Sequence, residues 1–473
     1  MDNVESLYQQ RRYVECENTC RSLLLANPKN IEVRNTLIMA LEAQGKLRAA
    51  SSECENLLSG LITDSDKLNL LEYQGSLNAT TGDYESAAKS YSRALEIDKT
   101  RTNTWIALGS CQYEINDYEA CTKSILNGIN APEIDEIRYC EALYFLTESN
   151  SSLTYAETIK ITPRAKQPIE SAQYYFSIAN LFERQGDYKD ALAAYDRGNQ
   201  LLRERRPYNS QQEIRTVSSY LRILTNQDIL DACLPLTDEL PIPIFILGMP
   251  RTGSSLLEQI LGRHSKISPQ GEAKWLPDAF VKHLGSVESE TEFKARCLSP
   301  EFVSSIRKTY LDHVKSASTP FITDKLPGNF AFMFLIKLAF PQAFVVKTNR
   351  NRLATIWSCY KTPIWNGHSY THSLEETADY FDLVETATAQ WGTLFNDRFI
   401  EVSYESLTDD AEDVVGQLFS DLNLDFEEDC FNHESSTRVI KTASKNQVTK
   451  PIYRDANESS RNFERYISNR IPN

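Results

Sequence analysis

Pro241-Ile-Pro-Ile-Phe-Ile-Leu-Gly248-Met-Pro-Arg251-Thr-Gly253-Ser-Ser255-Leu-Leu-Glu-Gln-Ile-Leu261 decides the fold of the second half of this chain. Ile242 to Leu247 is a short apolar run that reads as a buried strand. Leu256, Leu257, Ile260 and Leu261 recur at helical spacing, and a glycine-bearing turn joins the two segments. Strand, turn and helix in that order aim backbone N–H groups and a positive helix end at one spot, which suits a phosphate or a sulfate.

Gly248 and Gly253 keep the spacing of a Walker A loop, but Ser254 stands where its lysine belongs and the cation lies inside the loop as Arg251. A kinase or NTPase needs that lysine on the phosphates and a hydroxyl on magnesium. An arginine fork flanked by hydroxyls suits a terminal anion held without a metal. Pro250-Arg251-Thr252-Gly253-Ser254-Ser255-Leu256-Leu257, followed by Gly271-Glu272, resembles the 5′-phosphosulfate loop of the sulfotransferases. Among them it is similar to the tyrosylprotein type and to the tetratricopeptide-repeat sulfotransferases.

The bulk composition narrows the classes. A chain of 473 residues predicts two or three domains, and 41% apolar content is ordinary for a globular protein. A net charge of −15 excludes nucleic acid as a general partner and disfavours a polyanionic acceptor. The first twenty residues lack the apolar core of a signal peptide, and no stretch reaches membrane-spanning length. Ten scattered cysteines without a CxxC pair predict reduced thiols, a cytoplasmic location and no zinc site. The histidines His264, His283, His313, His368, His372 and His433 make no metal spacing.

The first half repeats itself. Gly75 and Gly109 stand 34 residues apart, and Gly82-Asp-Tyr84 recurs as Asn116-Asp-Tyr118 at the same interval and again as Gly186-Asp-Tyr188. These positions, with Ala87, Tyr91, Ala94, Trp105 and Cys121, fall where a tetratricopeptide repeat places its small and aromatic residues. The predicted architecture is α followed by α/β. A tetratricopeptide helical solenoid covers residues 1–201, a helical connector 202–240, and a P-loop-type domain with a parallel sheet 241–473. Strands are expected at Ile242–Leu247, Pro320–Thr323, Ala343–Lys347 and Phe399–Val402. Helices are expected at Ser255–Arg263, Phe330–Ala339, Arg352–Cys359, Leu374–Phe395 and Asp410–Leu422.

What the resemblance implies is a metal-independent sulfotransferase with 3′-phosphoadenosine-5′-phosphosulfate (PAPS) as co-substrate. Arg251, Thr252, Gly253, Ser254 and Ser255 would cradle the 5′-phosphosulfate. Glu272 would be the general base, and Lys325, beside Asp324 as its orienting partner, would stabilise sulfuryl charge with Arg251. Arg350 and Ser358, eight residues apart, would hold the 3′-phosphate. Tyr404 would lie along the nucleotide, with Ser444 and Lys450 in the segment that covers it. Asn351-Arg352 departs from the usual Asp-Pro or Asp-Gly, and Lys361 alone represents a further basic residue expected after the serine. His368 or His372 would be at most an accessory, and Trp357 and Trp391 read as core. The acceptor would be a hydroxyl on a peptide tyrosine, a glycan or a small metabolite, and the repeats would take a peptide or protein partner. The rivals are an ATP-using P-loop kinase and a repeat scaffold with an inactive transferase domain.

Overall fold

The computed structural model describes residues 2–60, 63–130, 134–150, 152–154, 171–205, 208–236, 241–314, 318–365, 367–431 and 458–472. The chain divides into two compact units, Met1–Ala194 and Tyr195–Asn473.

Helices fill the first unit, and the recurring Gly-Asp-Tyr explains their punctuation. Gly82 closes the helix Asp64–Thr81 with φ +80°, a left-handed cap that only glycine adopts cheaply. The Asp83 carboxylate then accepts from the Ser86 N–H and starts the helix Tyr84–Ile97. In the next copy Asn116 takes the left-handed position with φ +66°, and Asp117 caps the helix Tyr118–Ile129. Helices pack closely where the repeat places glycine: a Cβ on Gly75 would lie 2.7 Å from the Tyr91 ring. Tyr91, Leu95, Leu108 and Cys111 share one core cluster there. Helix Glu136–Ser149 occupies the weakly patterned stretch after residue 133, while residues 155–170 lie outside those described.

The second unit is built on a parallel sheet of five strands in the order β2-β3-β1-β4-β5. They are β1 (Ile242–Gly248), β2 (Ile267–Pro269), β3 (Phe321–Lys325), β4 (Phe344–Asn349) and β5 (Phe399–Ser403). Both faces are covered, which is why β1 reads as an unbroken apolar run. Phe245 and Leu247 pack on one side with Ile322, Phe334 and Trp391. Ile244 and Ile246 pack on the other with Leu257, Ile260, Leu261, Leu418 and Phe419. The chain winds to one side of β1 through β2 and β3, then to the other through β4 and β5. Such a reversal opens a crevice at the carboxyl end of the central strand.

Three details differ from the sequence expectation. The edge strand β2 and the helices Trp275–Leu284, Glu290–Cys297 and Pro300–Val314 were not foreseen. The helix expected at Phe330 begins at Met333, because Pro327 and Gly328 first form a 3-10 turn, Pro327–Phe332. The connector expected from residue 202 starts inside the helix Tyr188–Arg205, whose last turn carries Arg203 and Arg205. Helices Ser210–Ile223 and Asn226–Ala232 follow, and their Val217, Leu221, Leu224 and Ile229 join the core on the Phe245 side of the sheet.

Candidate active site

The loop after β1 is held in a shape that ordinary residues resist. Gly248 has φ +131°, and a Cβ there would sit 2.9 Å from the Thr348 carbonyl oxygen of β4. Arg251 has φ +69°, a conformation that costs a non-glycine residue about 1–3 kcal/mol and concentrates at functional sites. Gly253, φ +91°, begins the helix Ser254–Leu261, and a Cβ on it would sit 2.6 Å from the Tyr404 ring. The Thr252 hydroxyl donates to the Met249 carbonyl at 2.7 Å and therefore accepts from the Thr348 hydroxyl, also at 2.7 Å. That hydroxyl braces the loop. Ser254 and Ser255 are buried in the first helical turn.

Four expected donor-site residues meet at this loop. Arg251 Nε donates to Ser358 Oγ at 3.2 Å, and Arg350 Nη1 donates to the Arg251 carbonyl at 3.0 Å. The Arg350 guanidinium lies over the Tyr404 ring, 4.7 Å from its centroid. Both arginines are 9% exposed. Burial lowers the Arg350 pKa from its ordinary value, and the neighbouring Arg251 charge lowers it further. Two buried like charges at a positive helix end make a strong attraction for an anion.

On the other flank of β1, Lys325 ends β3 opposite Ile246 and is 1% exposed. Its Nζ donates to Glu272 Oε1 at 2.6 Å, with the Glu272 side chain half-buried. His368, at φ +44°, also faces this pair. Burial lowers its pKa, Glu272 pulls it up, and Lys325 and Lys274 press it down. Its Nδ1 pairs with the Tyr370 hydroxyl at 3.0 Å.

Several expectations need correcting. Asp324 does not orient Lys325: alternation along β3 turns its carboxyl to the other face, where Tyr310 donates at 3.1 Å and Asn329 at 3.0 Å. Asp382 holds Arg352 Nε at 3.2 Å and Nη2 at 3.1 Å, and the Pro472 carbonyl holds Nη1. Asn351 caps the helix Arg352–Tyr360 by accepting from the Ala354 N–H at 3.0 Å. Lys361 donates to Ser459 at 2.8 Å. The His264 ring spans to the Asp425 carbonyl at 2.9 Å. His372 pairs with the Ile364 carbonyl at 3.3 Å. Ser444, Lys450 and His433 lie outside the described residues. Trp391 and Trp357 are both core, as expected, and Trp357 stacks on Phe463 at 4.1 Å.

Sequence reading missed Glu258. It sits in the middle of the quoted stretch, where only its apolar neighbours carried the helical pattern, yet it is 3% exposed. Its sole sequence signal is a carboxylate inside an apolar run. A polar cleft of about 760 Å³, lined by residues that include Asp196, Arg203, Tyr360 and Arg470, contains no member of either cluster.

Both halves of the chain resemble known proteins. Residues 243–428 match the sulfotransferase family model, and residues 74–101 and 172–201 match the tetratricopeptide repeat. An uncharacterized protein of Aquifex aeolicus is 28% identical over 332 residues, which are 68% of this chain and 43% of that relative's length. The sulfotransferase domain of the Synechococcus PCC 7002 olefin synthase is 20% identical, with TM-score 0.37, over 48% of this chain and 90% of that one. The C-terminal part of a TPR repeat-containing protein from Cytophaga hutchinsonii is 17% identical, with TM-score 0.32, over 42% of this chain and 78% of that one. The chain thus carries a sulfotransferase-family domain, preceded in sequence by tetratricopeptide repeats.

Proposed function

We propose that this chain is a PAPS-dependent sulfotransferase acting on an acceptor hydroxyl. The observation that carries the reading is the meeting of Arg251, Arg350, Ser358 and Tyr404 at the end of β1, with the Glu272–Lys325 pair on its other flank. The two buried guanidinium groups and the serine hydroxyl fit a nucleotide bearing phosphates at both 3′ and 5′ positions. When bound, the donor supplies a sulfuryl group on its 5′-phosphate.

Glu272, half-buried at the mouth, would take the acceptor proton as the acceptor oxygen forms its bond to sulfur. The sulfur–oxygen bond to the 5′-phosphate breaks in line, and its electron pair stays on the phosphate. Lys325 and Arg251 would receive that developing charge from fixed, water-poor positions. Arg350 and Ser358 would anchor the 3′-phosphate, and Tyr404 would brace the nucleotide beside Gly253. Thr252 would contribute its backbone, its hydroxyl being bound within the loop. Ser444 and Lys450 complete the donor set in sequence terms.

The family resemblance and the repeats favour a peptide tyrosine as acceptor, presented by a protein partner of the array; a glycan or small-metabolite hydroxyl is the alternative. The domain would run from residue 241, with 202–240 as its connector. Ten free thiols favour a reducing, cytoplasmic setting. An inactive scaffold is disfavoured because Asn351-Arg352 is accommodated by a helix cap and an ion pair.

Calorimetric titration with adenosine 3′,5′-bisphosphate tests the donor site without knowledge of the acceptor. Arg350→Ala and Arg251→Ala should each weaken binding tenfold or more, about 1.4 kcal/mol. Absence of binding by the wild type would overturn the assignment. A transfer screen across tyrosine peptides, sugars and phenols then identifies the acceptor class.

A further inference from the structure

Glu258 lies on the helix that follows the anion loop, and it is 3% exposed. Its Oε1 accepts from the Gly271 N–H at 2.8 Å and from the Thr323 hydroxyl at 2.9 Å. Gly271 is gripped from its other side as well, because its carbonyl accepts from the Lys325 N–H at 2.9 Å. The Gln270 N–H also donates to the Thr323 carbonyl, at 3.1 Å. Three segments therefore meet at one carboxylate: the anion-loop helix, the turn that carries Glu272, and the end of β3 that carries Lys325.

Two physical points make this more than packing. A buried carboxylate costs several kcal/mol unless its hydrogen bonds are made, so an apolar side chain would serve a purely structural helix better. Gly271 also has φ +73°, outside the basins of most residues, so external bonds fix the direction in which Glu272 leaves the turn.

We infer that Glu258 is a positioning residue that keeps Glu272 and Lys325 in register with the anion loop. This rests on the roles proposed above for those two residues. Glu258 acts through Gly271 and Thr323, and a shift of about 1 Å at the base would lower turnover by as much as a hundredfold.

Hydrogen exchange of the full chain, read by mass spectrometry in peptides spanning 268–275 and 321–328, tests the strut directly. Glu258→Ala should speed exchange in both peptides about tenfold. These two bonds fall on one oxygen, so Glu258→Gln keeps that acceptor and should restore protection. In parallel, Glu258→Ala should lower kcat tenfold or more while the Kd for adenosine 3′,5′-bisphosphate stays within about twofold, and Glu258→Gln should recover most of the loss. Unchanged exchange in Glu258→Ala overturns the inference whether or not the chain transfers sulfate. Faster exchange with unchanged kcat overturns it too, as does a loss of nucleotide affinity equal to the loss of kcat. Should Glu258→Ala fail to fold, Thr323→Val removes one of the two donors and is read the same way. A wild type that transfers sulfate to no acceptor defeats the proposed function, and the exchange result still decides the part played by Glu258.

Discussion

A buried ammonium in contact with a half-buried carboxylate is the central chemical fact at residue scale. Lys325 is buried at the end of β3, so Glu272 is the more exposed member of the pair and the one able to meet an acceptor. Glu272→Gln should cut kcat by about 10²–10⁴ while leaving adenosine bisphosphate affinity near wild type; parallel kinetics and calorimetry would check this. Asp324 behaves differently. Complete burial pushes its carboxyl up to about 8, against the pull of hydrogen bonds from Tyr310 and Asn329. The folded chain therefore keeps a proton here that an unfolded carboxyl releases near pH 4. Its stabilising contribution is full below about pH 4 and is lost as pH rises to about 8. Denaturant midpoints at pH 5 and pH 8.5 should fall more for wild type than for Asp324→Asn; equal falls would place the proton elsewhere. Arg251, Glu272, Lys325, Arg350 and Ser358 could be singled out in the sequence because their motifs resemble those of a known family; the structure links Arg251 to Ser358 and Arg350, and Lys325 to Glu272. The direction of Asp324 was not legible, since strand pleating decides which of two adjacent side chains faces the site.

Among the elements, the loop after β1 has the least freedom to change. Gly248→Ala should destabilise the domain by about 1–3 kcal/mol, because φ +131° is strained for alanine and the nearest neighbour is a backbone oxygen that cannot swing away. Gly253→Ala is strained in the same way at φ +91° and also meets the Tyr404 ring, which can move only at the expense of its stacking on Arg350. That variant should therefore lose donor affinity as well as stability, which paired calorimetry and unfolding experiments would reveal. The repeat helices obey simpler punctuation. Gly82 and Asp83 end one helix and begin the next through local hydrogen bonds alone, which is why these turns could be read from single residues. The three-residue strand β2 could not, because its pairing to β3 comes from a distant segment.

Across the whole molecule, cysteine chemistry offers a test independent of any ligand. All ten thiols are free, nine are buried and Cys233 is partly exposed. Burial pushes Cys54, Cys111, Cys297 and Cys359 up to about 12, far from thiolate at neutral pH. An aromatic disulfide reagent at neutral pH should label Cys233 in the native protein and all ten after denaturation. Rapid native labelling of several thiols would contradict the packing. The chain divides at residues 194/195 into two compact units, each with its own apolar clusters, and helices Ser210–Ile223 and Asn226–Ala232 already belong to the second, before its first strand.

The sequence by itself determined the class of each half, the strand-loop-helix at its centre and the identity of most candidate chemical groups. Helical periodicity, capping residues and strand-end motifs are local, and their physics is complete within a few residues. Only the tertiary structure decided the strand order that sets Lys325 and Arg350 on opposite flanks of β1. It alone joined Glu258 to Gly271 and Thr323, and turned Asp324 away from the Lys325 side of β3. Those outcomes depend on the burial and pairing of segments far apart in the chain, and no local pattern carries that information.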